Sequence, residues 1–465
     1  MLNPVPLFGL GNQARSVKAS AQDRLNLYVE VNSDAEKHVL TYYPCPGLVS
    51  VLNLGSFPAR GAYQLGGYMY VVIRNKLVRI ANDFTTSEMG TLDTTDGRVD
   101  MADNGTQIIL VDGPNGYILT IATSVFAKIT DVDFPGGSTV TFLNQRFVVS
   151  QPDTGKFFCS ALLDGSSWDA LDFATAESDP DNLVRVMADG GQLYTFGEKS
   201  TEIWGDSGAA DFPYAKVGGG AVEWGLAARW SLVKYADSMA FLRKNRLGQV
   251  QACLMAGGQA VPISTPQVEA EFTRYGDVSN ATGLAYMLNG HAFYQVNFPS
   301  EGVTWEYDSQ SKEWHRRKSG SGRHRAEIGL QLLGNFYATD YENGKVYRID
   351  QDTYTDDGQA IAREFTSRHQ SAGDYLHLPE LWIEMETGVG TQQGQGQNPQ
   401  VMLQVSRDGG KTYGNEMARP IGKVGQYLSR AKWNRLGRAR DWVFKVRVTD
   451  PVKVVFTHAW GRFTR

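Results

Sequence analysis

The 465-residue sequence predicts an all-β fold, a ring of short antiparallel sheets followed by a further β-domain, and three observations lead to it. A unit made of an apolar strand, a tight turn often holding Gly or Asn, an aromatic-rich strand, and a second turn and strand recurs seven times. The copies start at Arg60, Val99, Val140, Val184, Leu232, Gly283 and Glu327, which places them 39, 41, 44, 48, 51 and 44 residues apart. Glycine at 50 residues and aromatics at 11% suit many short strands joined by tight turns, and apolar positions at helical spacing are scarce. A period in the forties fits the four-stranded blade of a β-propeller, because each blade leaves an apolar face that only the next can cover. Six or seven blades are predicted, since one repeat can be shared or inserted. The competing reading is a run of unrelated meanders in two sandwiches.

Along the chain, residues 1–56 contain LNLYVEVN and TYYPCPGLVSVL, which read as strands ahead of the first blade and are expected to pack with the C-terminal region. Residues 57–357 are the propeller body. Its repeats include RGAYQLGGYMYVVIRNKLVRI, VDMADNGTQIILVDGPNGYILT and EIGLQLLGNFYATDYENGKVYRID, each alternating strand and turn. After Asp357-Gly358 the pattern changes, and residues 358–465 are expected to form a β-sandwich-like domain with a basic surface. There LWIEMETG alternates as a strand, residues 387–400 form a Gly/Gln-rich loop, and VMLQVS begins a new strand. In WVFKVRV, Trp442, Phe444, Val446 and Val448 share one face and Lys445 and Arg447 the other, so one side is core and the other basic surface.

Charge is uneven. The net charge is −5, yet residues 428–465 hold ten Lys/Arg against Asp441 and Asp450, a local +8 that leaves −13 for residues 1–427. The overall balance argues against a general nucleic-acid binder. Cys45, Cys159 and Cys253 are too far apart in sequence to suggest a disulfide framework or a zinc knuckle. No eighteen-residue apolar run occurs, so no membrane-spanning segment is expected, and the N-terminus lacks the pattern of a secretory signal.

Few motifs carry chemistry. Ser406, Asp408, Gly410 and Thr412 fit the Asp-box turn found in sugar-cleaving propellers, where the aspartate accepts backbone N–H bonds and glycines supply positive φ. A sialidase would need several such boxes, an arginine cluster and a Tyr/Glu pair, and LLDGSSW from Leu162 is an imperfect second match. GDSGA, Gly205 to Ala209, resembles a serine-protease nucleophile loop, but the only upstream histidine is His38, in an ordinary polar context. His291 reads as a hydrogen-bonded hairpin residue, and Asp93, Asp96, Asp100 and Asp103 as a solvated loop without calcium-hand spacing. No HExxH or P-loop occurs. No catalytic, metal or cofactor residue is therefore assigned, and the protein is expected not to be an enzyme.

Three stretches together resemble the packaged-DNA stabilisation, or tail-hub (nozzle), proteins of short-tailed bacteriophages. They are residues 166–228 (SSWDALDF to AVEWGLAA), residues 290–317 (GHAFYQVNFPSEGVTWEYDSQSKEWHRR), and SRDGGKTYGNE with its sequel QYLSRAKWNRLGRARDWVFKVRVTDP. The resemblance implies a structural virion protein of the tail, folded in the host cytoplasm and then assembled into a homohexameric ring below the portal and its adaptor. Such a ring retains packaged double-stranded DNA, provides the ejection channel, and neighbours tailspikes, fibres or a tail needle. A glycan-binding or glycan-cleaving tail propeller is the alternative. Arg430, Lys432, Trp433, Arg435, Arg438, Arg440, Trp442, Lys445 and Arg447 are expected to form an interface that docks an acidic neighbour, with DNA contact secondary.

Overall fold

In the computed structural model, which describes residues 2–32, 39–209 and 212–464, almost every regular element is a strand. Seven antiparallel sheets follow one another along the chain, and each begins at or near one sequence repeat. Blades 1 to 4 span residues 59–91, 100–128, 139–175 and 183–222; blade 5 spans 225–262, blade 6 282–319 and blade 7 326–350. Their first strands pack side by side around a central axis, and the first strand of blade 7 touches that of blade 1, so the ring is closed.

Seven apolar clusters sit between successive blades. Leu77, Ile108 and Leu110 join blades 1 and 2; Ile109, Val149 and Trp168 join blades 2 and 3; Val71, Ile80 and Val346 close blade 7 onto blade 1. Each such side chain contributes roughly 1.5–3 kcal/mol on full burial, and the closed ring leaves neither sheet face in water. Thr265 caps the short helix Pro266–Phe272 between blades 5 and 6, and its Val268 and Phe272 fill the cluster there.

The fourth strand of blade 7 comes from the other end of the chain. Gly47–Asn53 pairs antiparallel with Lys345–Asp350. The N-terminal region expected to pack as one unit with the C-terminal domain is thus divided, because Lys345–Asp350 would otherwise present an unpaired edge. The remaining N-terminal strands lie in the second domain. Asp23–Leu25 pairs with Arg363–Thr366, Asn3–Pro4 and Leu40–Pro44 pair with Phe456–Thr464, and Leu27–Val31 pairs with Leu40–Pro44.

This second domain is a β-sandwich built on Gln370–Met385, Gln400–Ser406, Arg438–Val448 and Phe456–Thr464. One core joins Val5, Leu7 and Leu27 from the N-terminal region to Leu381, Trp433, Trp442, Phe444 and Phe456. Six of the seven blade sheets are separate; blade 6 runs on into the sandwich through Asp23–Leu25, whose Leu25 pairs in parallel with Arg316. At that seam the fully buried Arg24 donates to Glu313 at 2.7 Å, to the Trp314 carbonyl at 3.1 Å and to the Gly9 carbonyl at 3.0 Å.

Candidate interaction surface and the buried polar cluster

The Asp-box sequence closes a turn of the sandwich, away from the propeller. Ser406 Oγ donates to Asp408 Oδ1 at 2.7 Å and accepts the Gly410 N–H at 2.8 Å. Asp408 Oδ1 also accepts the N–H groups of Lys411 and Thr412 at 3.0 Å each, and Oδ2 accepts Thr412 Oγ1 at 2.6 Å. Gly409 and Gly410 take φ of 75° and 86°, which side chains other than glycine rarely adopt. The hydrogen bonds from Thr412 and Ser406 hold the Asp408 carboxyl well below the usual carboxylate range. Both oxygens of this aspartate serve the turn. LLDGSSW forms a smaller version, in which Asp164 accepts Ser166 N–H and Oγ at 2.9 and 2.7 Å.

The basic segment divides into separate settings. Arg430 and Lys432 flank the Trp382 ring at 4.9 and 5.3 Å, with Lys432 Nζ 2.7 Å from Glu380. Arg438 and Arg440 lie over the Tyr375 ring at 4.9 and 4.5 Å. Lys445 sits 4.8 Å from the Tyr413 ring and 3.6 Å from Glu364. Arg435 occupies a left-handed turn position at φ 58°, and among the described residues neither it nor Arg447 makes a side-chain ion pair. Beside Arg430, the loop tip exposes Val424, Tyr427 and Leu428, the last at 96%.

Trp433 and Trp442, expected as interface anchors, are instead buried in the sandwich core at 0% and 1% exposure, as is Leu436. The reason is strand alternation. Ala431 and Trp433 point inward while Lys432 and Asn434 point outward, and Trp433 Nε1 donates to the Met417 carbonyl at 2.8 Å. The surface aromatics beneath the cations are Trp382 and Tyr375, contributed by a different strand. The sequence signal for Trp382 was the alternation within LWIEMETG, which fixes a face without naming its partner; Tyr375 lies ahead of that stretch and had no such signal.

A buried polar cluster missed by sequence reasoning lies in blade 6. Arg317 Nη1 contacts both Glu306 oxygens at 3.0 and 3.2 Å, and Tyr286 Oη and His315 Nε2 reach the same carboxylate at 2.7 and 2.8 Å. Arg317 also meets the Pro46 carbonyl and His324 Nε2, each at 2.9 Å, while His324 Nδ1 faces Gln295 Oε1 at 2.8 Å. Burial pushes the Glu306 carboxyl up, but Arg317, His315 and Tyr286 outweigh it and hold it at about 2. Cys45 Sγ, Glu306 and His315 lie within 4.8 Å of one another, the spacing of a metal triad. The donor set does not suit a cation, because Arg317 already supplies the positive charge and burial raises the Cys45 thiol far above its ordinary value. The cluster fastens the propeller to the chain entering from residue 46.

The other sequence candidates are structural. His291 is buried, with Nδ1 2.9 Å from Asp308, and packs against Tyr28 and Phe293. In GDSGA, Gly208 N–H is accepted by Asp206 and Ala209 N–H by Ser207, a turn without a histidine contact, and His38 lies outside the described residues. Of the aspartates expected as a solvated loop, Asp93 and Asp96 are exposed between strands, whereas Asp100 and Asp103 are not. Asp103 accepts Tyr63 Oη at 2.6 Å, and Asp100 accepts Val140 N–H at 3.0 Å, because both belong to the first strand of blade 2. No helix among the described residues is long and apolar enough to cross a membrane.

Comparison with known proteins follows the same division. Residues 42–354 match the family model described as Bacteriophage P22 Gp10, beta-propeller, and residues 362–462 match Bacteriophage P22 Gp10, beta-sandwich. The tail hub protein gp10 of Salmonella phage P22 is 24% identical over 383 residues, which cover 76% of this chain and 77% of that protein. Among solved structures, the WD40 domain of Neurospora crassa Pan2 is 11% identical, covering 66% of this chain and 95% of that one, at a TM-score of 0.42. The extracellular domain of a two-component system from B. thetaiotaomicron is 9% identical over 72% of this chain, at a TM-score of 0.45; this chain spans 43% of its length.

Proposed function

Because the chain belongs to the family of bacteriophage tail-hub proteins represented by P22 Gp10, a structural family of the virion tail, we propose that its copies form a hexameric ring below the portal and its adaptor. In that position the ring retains packaged double-stranded DNA and becomes the ejection channel. The observation that carries this reading is the match of both domains, propeller then sandwich, across most of the chain. The role is structural, and the Asp box belongs to a sandwich turn whose aspartate uses both oxygens within the turn. Folding takes place in the host cytoplasm before assembly, and tailspikes, fibres or a tail needle are further neighbours.

Docking onto the acidic surface of a neighbouring subunit or of the adaptor is assigned to the exposed cations Arg430, Arg435, Arg438, Arg440 and Arg447, with the apolar tip at Tyr427 and Leu428 beside them. DNA contact is secondary, since each neutralised phosphate adds affinity that would slow a sliding genome. Replacing Arg435, Arg438 and Arg440 together by Glu is expected to abolish incorporation into tails while the monomer stays folded. Normal incorporation with faster genome leakage would make DNA the main partner. Mass determination of the adaptor-bound assembly tests the ring, and one or two copies per tail would rule out the hexamer.

A further inference from the structure

The wall of the propeller's axial channel is interrupted in blade 5. Its innermost strand is split into Gly225–Leu226 and Val233–Tyr235, both paired with Ser238–Lys244, and after the Ala227 N–H bond to the Leu242 carbonyl residues 228–232 leave the ladder between them. The excursion is tied to blade 6, where Gly283 N–H donates to the Trp230 carbonyl at 2.7 Å. A Cβ on Gly283 would lie 2.4 Å from the Ser231 carbonyl oxygen, so only glycine permits this approach.

The excursion carries Arg229 and Trp230 inward. Two guanidiniums lie over the Trp230 ring, Arg98 at 5.2 Å and Arg185 at 5.1 Å from its centroid. Trp230 and Arg98 line two cavities, an inner one of about 530 Å³ and an outer mouth of about 720 Å³.

Several arginines converge on this channel. Arg185 lies 3.6 Å from Asp100 and donates to the carbonyls of Arg229 and Leu232, leaving its buried Nε without a partner. Arg323 takes Glu327 Oε2 at 2.8 Å, and Arg98 approaches the other oxygen no closer than 4.0 Å. Among the described residues, the Arg229 side chain makes no hydrogen bond or ion pair, and Arg98 makes no hydrogen bond. Lys244 and Glu198 also line the outer mouth and the charge of Asp153 acts on Arg229, so opposite charges are present here, yet Arg98 and Arg229 keep guanidinium donors that make no hydrogen bond among the described residues, and such a group is costly where it is shielded from water. Burial accordingly pushes the guanidiniums of Arg98, Arg185 and Arg229 below their ordinary range.

We propose that the outer mouth is an oxyanion site, in which the free guanidinium donors of Arg98 and Arg229 hold the phosphate or carboxylate group of a small ligand. Guanidinium forks match both groups with paired, charge-assisted hydrogen bonds, and a mouth of this volume suits a ligand of monosaccharide or nucleotide size. Recognition runs through charge, by way of the guanidinium donors of Arg98 and Arg229. The site is separate from the sandwich cations assigned to docking.

Titration calorimetry on the full chain tests it, with inorganic phosphate and glucuronate as probes at constant ionic strength in chloride. One equivalent of at least one probe is expected to bind, and the tighter of the two identifies the ligand group. Arg98→Gln and Arg229→Gln should each weaken binding about tenfold or more, the loss of a charge-assisted hydrogen bond. Lys453→Gln on the sandwich should leave binding unchanged. Should either glutamine variant fail to fold, the lysine variant at that position keeps the charge and loses the fork, and weaker binding is still expected. Absence of binding for both probes, or wild-type affinity in the Arg98 and Arg229 variants, would overturn the proposal.

Discussion

Arg317 and Glu306 form a fully buried ion pair, with Arg317 Nη1 3.0 and 3.2 Å from the two carboxylate oxygens and each side chain 1% exposed or less. Such a pair is worth little against a well-packed apolar substitute, but removing one partner strands the other charge at a cost of about 3–5 kcal/mol. Glu306→Gln is therefore expected to lower stability by that amount in urea unfolding. A loss below 1 kcal/mol, within the range of exposed pairs, would show that the cluster is not a structural fastening.

His291 in blade 6 and His324 just after it respond to pH in opposite senses. Burial, with Arg317 beside it, holds the His324 pKa well below its ordinary value, so the unfolded chain takes up a proton that the folded chain refuses. Its contribution is present above about pH 6.5 and declines as pH falls below it. The Asp308 hydrogen bond outweighs burial at His291 and raises its pKa, so its contribution is present below about pH 6.5 and lost as pH rises through the folded value. In NMR titration, the His324 ring signal should stay unchanged from pH 7 to about 5.5 while His291 titrates above 6.5. Titration in the reverse order would refute both assignments.

Gly283→Ala places a methyl group where the Ser231 carbonyl stands. The expected cost is about 1–3 kcal/mol from overpacking, read as a lower urea midpoint. Trp230 fluorescence should shift as the blade 5 excursion moves, and an unchanged spectrum with unchanged stability would contradict the close approach.

Trp433→Ala should cost about 3–5 kcal/mol as a core truncation, whereas Arg447→Ala should fall within about 0.5 kcal/mol. Equal, small effects in thermal melts would return Trp433 to the surface.

The blades were legible because each is local. A repeat of about forty residues carries its own turns and its own apolar strands, and Val99, Val140, Val184, Gly283 and Glu327 all fall within two residues of a blade's first strand. The closing strand was not legible, since Gly47–Asn53 finds its partner roughly 300 residues away and nothing local distinguishes it from the sandwich strands before it. The basic segment misled for a different reason. Its composition suggested aromatic anchors among cations, but the period-two alternation of Ala431, Lys432, Trp433 and Asn434 already placed the tryptophan opposite the lysine. The axial arginines escaped notice because Arg98, Arg185 and Arg229 are brought together by the ring alone, although the first two lie one residue from a repeat start.

The interlacing of the two chain ends has a consequence in time. Gly47–Asn53 leaves the ribosome early but cannot find its place until Lys345–Asp350 has been made, and Leu40–Pro44 waits still longer for Phe456–Thr464. Pairings of such sequence separation are slow to form, so the sandwich and its cationic surface mature last. A chain that stops before Phe456–Thr464 therefore leaves Leu40–Pro44 and Gln370–Met385 without their partner strand, and the sandwich open.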